Sequence, residues 1–296
     1  MANWAAIPYH FAMTQSNPAA SLSSFAALRW LFEAGADEAI GEAPINRFRP
    51  AKPAPQQQAE RAPIRRPAMH SHLHSQAVRL PRAQQGDQIG RAMELAAACK
   101  TLAELKAALE AFDGCTLKRN ATNTVFADGT PDRRILFVGE APGRDEDLAG
   151  VPFVGRAGKL LDKMLASIRL DRKSNVYITN VLNWRPPNNR DPSPEEAAAC
   201  LPFLRRHIEL VNPAIMVLLG AVSARHVMGR NEGIMRLRGN WLEYYVNGGM
   251  VPVMPILHPA YLLRRPADKR LAWRDLQAIA VKIHALRLLE PDATRE

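Results

Sequence analysis

Four short runs of mostly apolar, often β-branched residues mark the second half of the chain, at 135–138, 176–181, 215–219 and 253–257. Each is too short for a helix and is bounded by polar or turn-forming residues, which predicts buried strands. Between and after them, apolar positions recur at helical spacing over 159–168, 194–210, 221–228 and 269–288. Upstream, 89–98 and 102–112 show the same period. Ser193-Pro194-Glu195-Glu196 has the chemistry of a helix start, with a hydroxyl to cap, a proline in the first turn and acids at the positive end of the dipole. Strand alternating with helix predicts an α/β fold, a four-stranded, mainly parallel sheet flanked by helices. No internal repeat of period about 20 to 50 is present.

Residues 1–86 break this pattern. Pro44, Pro50, Pro53, Pro55, Pro63, Pro67 and Pro81, with Gln56-Gln57-Gln58, leave little periodicity, so a largely irregular or loosely docked N-terminal extension is expected, followed by a globular domain over 87–290. One stretch differs: at 21–34, serines precede Phe25, Leu28, Leu31 and Phe32 at helical spacing, which predicts a short helix. His70, His72 and His74 alternate as metal ligands do, but no carboxylate accompanies them. Gly41-Glu42-Ala43-Pro44 repeats the letters of 139–142 without a strand before them and is read as coincidence.

Composition narrows the class. With 296 residues, 47% of them apolar, the chain is large enough for a sizeable core. No apolar stretch reaches the roughly 18 residues needed to span a bilayer, and no basic stretch followed by a long apolar one opens the chain, so a soluble, cytoplasmic protein without a membrane partner is expected. Three cysteines (Cys99, Cys115 and Cys200) make no disulfide framework. A net charge of +10 favours a polyanionic partner, nucleic acid being the commonest.

The candidate chemistry follows the strands. After the first comes a loop of about fifteen residues, long for a βα connection, carrying Glu140, the Asp145-Glu146-Asp147 run and Phe153 among small residues. After the second come Asn180 and Arg185-Pro186-Pro187-Asn188-Asn189-Arg190, and after the fourth His258-Pro259-Ala260-Tyr261-Leu262-Leu263-Arg264-Arg265. The third ends at Gly220 with no such cluster. In an open α/β sheet, ligands bind outside the carboxyl ends of the strands, where these loops lie. An amide offers a donor and an acceptor together, as a nucleobase edge requires; a Phe face suits stacking; a His stabilises charge growing on a leaving group. Taken singly, Asn180 as a strand-end cap, Phe153 as core and His258 as a turn residue before proline are equally good readings.

Together, Gly139-Glu140-Ala141-Pro142-Gly143, Pro152-Phe153-Val154-Gly155, Ile178-Thr179-Asn180-Val181, Arg185-Pro186-Pro187 through Asn189-Arg190 and His258-Pro259-Ala260-Tyr261-Leu262-Leu263 resemble the motifs of the family 4 uracil-DNA glycosylases, in the same order. The resemblance implies removal of uracil from single- or double-stranded DNA, leaving an abasic site for base excision repair, with other deaminated bases such as hypoxanthine or xanthine left open as further substrates. It implies that Phe153 stacks on the flipped base, that Asn180 reads its Watson–Crick edge, and that Glu146 with the Ala141 backbone closes the pocket. His258 then stabilises the departing base anion, Glu140 orients water or stabilises the sugar cation, and Asn189 helps place the water. Leu262 and Leu263 are expected to wedge into the base stack, and Arg185, Arg190 and Arg264, with Arg265 and Lys269, to meet phosphates. Position 141 is Ala, so no carboxylate base acts there. The family's cross-linking relatives carry an Arg-Arg-Ile-His insertion where this chain runs Asn189-Arg190-Asp191-Pro192-Ser193, so no permanent covalent complex is expected. A monomer is expected. Two other classes remain open, a catalytically silent binder of damaged DNA and a hydrolase of free nucleotides, the latter without a phosphate loop or metal-carboxylate cluster to support it.

The resembled family usually holds a [4Fe–4S] cluster on four cysteines. Aligning the motifs puts those places at Phe112, Cys115, Trp184 and Cys200, so two thiolates are missing and no iron-sulfur cofactor or other metal is expected. Phe112 and Trp184 are expected to fill the volume instead, with Cys115 and Cys200 as free thiols.

Overall fold

A computed structural model describes residues 82–289. The helix expected at 21–34, the tetrapeptide at 41–44 and His70, His72 and His74 lie outside the described residues. Two helices, α1 (Arg82–Ala98) and α2 (Leu102–Ala111), lead into β1 (Ala127–Gly129), β2 (Ile135–Gly139), α3 (Arg144–Ala149), α4 (Arg156–Ser167), β3 (Tyr177–Asn180), α5 (Pro194–Val211), β4 (Ile215–Leu219), α6 (Ala221–Met228), α7 (Ile234–Leu237), β5 (Leu242–Val246), β6 (Gly249–Ile256), α8 (Pro259–Arg264) and α9 (Lys269–Ala285). No helix among the described residues is long and apolar enough to cross a membrane.

The strands form one sheet in the order β1-β3-β2-β4-β6-β5. Its parallel centre, β3-β2-β4-β6, consists of the four predicted strands. Two antiparallel edges bring the count to six rather than four. β1 is only Ala127-Asp128-Gly129, too short and polar to be seen as a periodic run. β5 turns back from β6 through Asn247 (φ 48°) and Gly248 (φ 80°), a pair of left-handed residues that matches the twist of a hairpin.

Both faces of the central strands are covered, which explains their unbroken apolar runs. Side chains alternate across the pleat. Leu136, Val138, Met216, Leu218 and Val253 face one core with α1, α2 and α5, whereas Ile135, Phe137, Ile178, Val217, Leu219 and Ile256 face a second core with α4, α8 and α9. The start of α5 forms as predicted: Ser193 Oγ accepts from Glu196 N (3.2 Å), Glu196 Oε2 accepts from Ser193 N (2.8 Å) and Pro194 opens the first turn. The parallel strands end level with one another, Gly139 opposite Asn180 and Leu219 opposite Ile256. Because neighbouring strands lie about 4.8 Å apart, residues that follow these ends share one rim.

Candidate active site

At that rim three side chains converge on two glycines. A methyl group added to Gly139 would stand 2.3 Å from Asn180 Oδ1 and 2.5 Å from the Phe153 ring, so β2 must end in glycine for both to approach. One added to Gly220, which has φ 95°, would stand 3.0 Å from His258 Cβ. β4, which Gly220 follows, therefore serves the site through the absence of a side chain. The Phe153 and His258 rings lie 5.7 Å apart, tilted by 36°.

Asn180 is 2% exposed, and its Oδ1 is buried without a hydrogen-bond partner among the described residues. A buried orphan oxygen costs roughly 1–3 kcal/mol, so this amide is held ready for a donor that the described residues do not supply. His258 caps α8: its Nδ1 accepts from Ala260 N at 3.1 Å. An accepting Nδ1 leaves the proton of the neutral ring on Nε2, the nitrogen free to donate. Burial, aided by the nearby Arg264 charge, lowers the His258 pKa to about 4. Glu140, the residue after β2, is half-buried; burial first and the Asp191 charge second raise its pKa to about 7, against an opposing pull from Arg225. Ala141 beside it packs against the α1, α2 and α5 core.

Two members of the acidic run, Glu146 and Asp147, hold backbone groups of neighbouring loops. Glu146 Oε2 accepts from Gly143 N (3.0 Å), and its Oε1 accepts from Val154 N (3.0 Å) and Gly155 N (2.9 Å), so the carboxylate pins the Phe153 loop to α3. Asp147 is buried and holds Thr122 N at 2.8 Å and the Thr122 hydroxyl at 3.1 Å. Phe153 itself is 7% exposed with φ 55°. For a residue with a Cβ the left-handed region costs about 1–2 kcal/mol. Gly158 permits this turn, since a Cβ there would stand 1.8 Å from Phe153 O.

The DNA-facing expectations divide. Leu262 is 1% exposed in the second core, so it cannot leave for a base stack without unpacking α8; Leu263, half-buried, is the leucine of the pair that faces outward. Arg190 is engaged: its two terminal nitrogens fork onto Glu196 at 2.8 and 2.6 Å, tying the loop to the start of α5 instead of offering a charge to a phosphate. Arg185 Nε donates to Asn189 Oδ1 at 2.8 Å, so the exposed Asn189 supports Arg185 with its oxygen. Arg264, Arg265 and Lys269 are exposed. Three participants were not foreseen: Asp191 and Arg225, which act on Glu140, and Arg172, which holds the Phe153 loop. Asp191 only adjoins a motif, Arg172 lies in a turn and Arg225 on α6, and the fold brings them near.

Where four cysteines would hold a cluster, the residues do not fit one. Cys200 donates to Cys115 with 3.9 Å between the sulfurs, which lowers the Cys115 pKa and raises that of Cys200. The other two places are the fully buried Phe112, packed on Phe203 at 5.1 Å, and Trp184, whose Nε1 donates to Thr124 Oγ1 at 3.0 Å. Two thiols cannot ligate four irons. Among the described residues no group of three or more His, Cys, Asp or Glu is arranged to hold a metal ion.

A central parallel sheet with an amide, an aromatic ring and a neutral histidine gathered at its carboxyl rim is the arrangement of a protein that holds a planar, polar ring. A profile of the uracil DNA glycosylase superfamily matches residues 126–277. The chain is 45% identical over 166 residues to the type-4 uracil-DNA glycosylase of Thermotoga maritima, covering 55% of this chain and 84% of that protein. It is 49% identical over 156 residues to that of Archaeoglobus fulgidus (51% and 78%) and 41% identical over 169 residues to that of Sulfurisphaera tokodaii (56% and 77%). The chain belongs to the type-4 uracil-DNA glycosylase family of this superfamily.

Proposed function

We propose that this chain is a monofunctional uracil-DNA glycosylase that draws uracil out of DNA and hydrolyses the bond between its N1 and the sugar C1′. The observation that carries the reading is the orphan Oδ1 of Asn180, buried beside the Phe153 ring, which in turn lies 5.7 Å from the His258 ring. Uracil presents an N3–H to such an acceptor, whereas cytosine carries no hydrogen on N3 and places its N4 amino group where uracil has O4, so with the amide held in this orientation cytosine leaves the oxygen unpaired at the cost already noted. Hypoxanthine and xanthine carry a ring N–H in the equivalent place, but so do guanine and thymine, so this contact alone does not sort them and the assay below includes the two deaminated purines. A base in a duplex is out of reach, so it is extruded at a cost of a few kcal/mol, least in a mispair or a single strand.

As the glycosidic bond breaks, its electron pair moves to the base and positive charge grows on the sugar. The Nε2–H of His258 is the preorganised donor for the base oxygen, and neutrality of the ring lets it donate without becoming an acid. Glu140, as carboxylate, faces the opposite charge: it accepts a proton from the attacking water while the water oxygen bonds to C1′. A pKa near 7 suits a base working near neutrality. Arg185, Leu263, Arg264, Arg265 and Lys269 form the DNA side, with a single protomer sufficient for every part of the site. No step passes through a metal.

The test is release of base from end-labelled oligonucleotides containing uracil, hypoxanthine, xanthine or cytosine at one place, single- and double-stranded, followed by alkali. Strand breaks at uracil and none at cytosine are expected. Tight binding to uracil DNA with no breaks would instead establish the silent binder.

A further inference from the structure

Phe153 adopts a conformation that its own chemistry disfavours, φ 55° at a residue with a bulky side chain, and its neighbours hold it there from two sides. On the donor side, Glu146 takes the N–H groups of Val154 and Gly155. On the acceptor side stands one residue, Arg172, in the connection between α4 and β3: one terminal nitrogen donates to Pro152 O at 3.0 Å and the other to Phe153 O at 2.8 Å. Arg172 is itself fixed. Asp128 on β1 accepts from it at 3.0 Å, and Asp162 on α4 accepts from its Nε at 2.8 Å and pairs with its second terminal nitrogen at 2.7 Å. Its side chain is 13% exposed and its nitrogens point at four partners. A surface ion pair does not explain this arrangement, because either aspartate alone would satisfy the charge. The planar five-donor fork is what two carboxylates and two successive carbonyls together require, and a lysine cannot reproduce it.

We propose that Arg172 is a positioning residue for base recognition: by gripping the Pro152 and Phe153 carbonyls it sets the plane of the Phe153 ring against Asn180 and His258, and so sets the slot into which the flipped base fits. The proposal rests on the reading of Phe153 as the stacking platform. β1, the three-residue edge strand, gains a purpose in this view, since its Asp128 carries one end of the grip. Arg172 touches neither base nor sugar and acts only through Phe153.

A double-mutant cycle tests this. Arg172→Lys, which keeps the charge between the two aspartates, is combined with Phe153→Ala; Asp128→Asn replaces Arg172→Lys in a second cycle, so that a variant that fails to fold does not decide the matter. Each cycle is read on uracil release at saturating and limiting oligonucleotide. It is also read on the preference for non-cleavable 2′-fluoro-2′-deoxyuridine over thymidine in one single-stranded sequence, with thermal melting as the fold control. A small misplacement of a group that orients substrate costs up to about 10²-fold. Arg172→Lys is expected to lower release and preference by about tenfold or more in the parent, Asp128→Asn by less, and neither to lower them further once Phe153 is Ala. Equal losses with and without the Phe153 ring, on either readout, would overturn the proposal. A parent chain that releases no uracil would sink the glycosylase reading separately, and the preference cycle would still decide the role of Arg172.

Discussion

At the scale of single residues, the site depends on groups made reactive by their surroundings. Asn180→Ala removes the buried acceptor and His258→Ala the neutral donor; each is expected to lower uracil release by about 10²–10³-fold, the size of effect that loss of one preorganised donor has in other sites. Affinity for undamaged DNA is expected to stay near that of the parent, as a filter-binding titration would check. Glu140 gives the pH profile. Its folded pKa, about 7, lies above the ordinary carboxyl value, so with the role proposed for it the reactive carboxylate appears as pH rises through 7, and release is expected to climb there and then level off. His258, neutral above about 4, adds no limb in that range. The same shift has a consequence for stability. A raised pKa stabilises the folded state only while the group is protonated, so the contribution is present at low pH and lost as pH rises through 7. Glu140→Gln is therefore expected to melt higher than the parent at about pH 8, with the gap closing by about pH 4. Asn180, Phe153 and His258 were legible in the sequence because each stands where a strand run stops or in the loop beyond it. Arg172 was not, because it works through backbone carbonyls nineteen and twenty residues away. Leu262 and Leu263 were legible only as a pair: the turn of α8 decides which faces inward, and the letters do not.

At the scale of elements, residues that look alike divide by task. Arg190, in a loop, and Arg264, at the end of α8, are both arginines near the rim in a basic protein. Glu196 has a side chain only 8% exposed and depends on Arg190. Arg190→Ala leaves that charge unpaired and is expected to cost about 1–2 kcal/mol, below the roughly 3–5 of a fully buried pair because the Arg190 side chain is 40% exposed. DNA affinity should be unchanged. Arg264→Ala is expected to do the reverse, leaving the melting temperature alone and reducing the salt slope of DNA binding by about 1. Denaturant titration and binding at two salt concentrations separate the two. Phe112→Ala is expected to cost about 3–5 kcal/mol, as a large core side chain does, since its packing on Phe203 ties the end of α2 to α5. The four central strands could be read directly because burial on both faces makes them continuously apolar. β1 was missed because three residues show no period, and β5 because its exposed Glu243 and Tyr245 hide it. The Asn247-Gly248 turn was nonetheless a usable hairpin signal.

At the scale of the whole molecule, the described domain is one sheet whose carboxyl rim carries recognition and whose two faces carry stability. The net charge of +10 predicts that binding to undamaged DNA weakens steeply as salt rises, since neutralised phosphates release counterions; a titration across low to physiological salt checks it. The central claim, however, is that the Asn180 acceptor and the His258 donor act on a uracil held at this rim, and one measurement reaches it most directly. The purified chain and its Asn180→Ala variant are incubated with a labelled single-stranded oligonucleotide bearing one uracil, and the free base is quantified alongside alkali-induced strand breaks. Stoichiometric release of uracil by the parent, reduced by about 10² or more in the variant, is the predicted result. Equal release by both, or none by the parent, would contradict it.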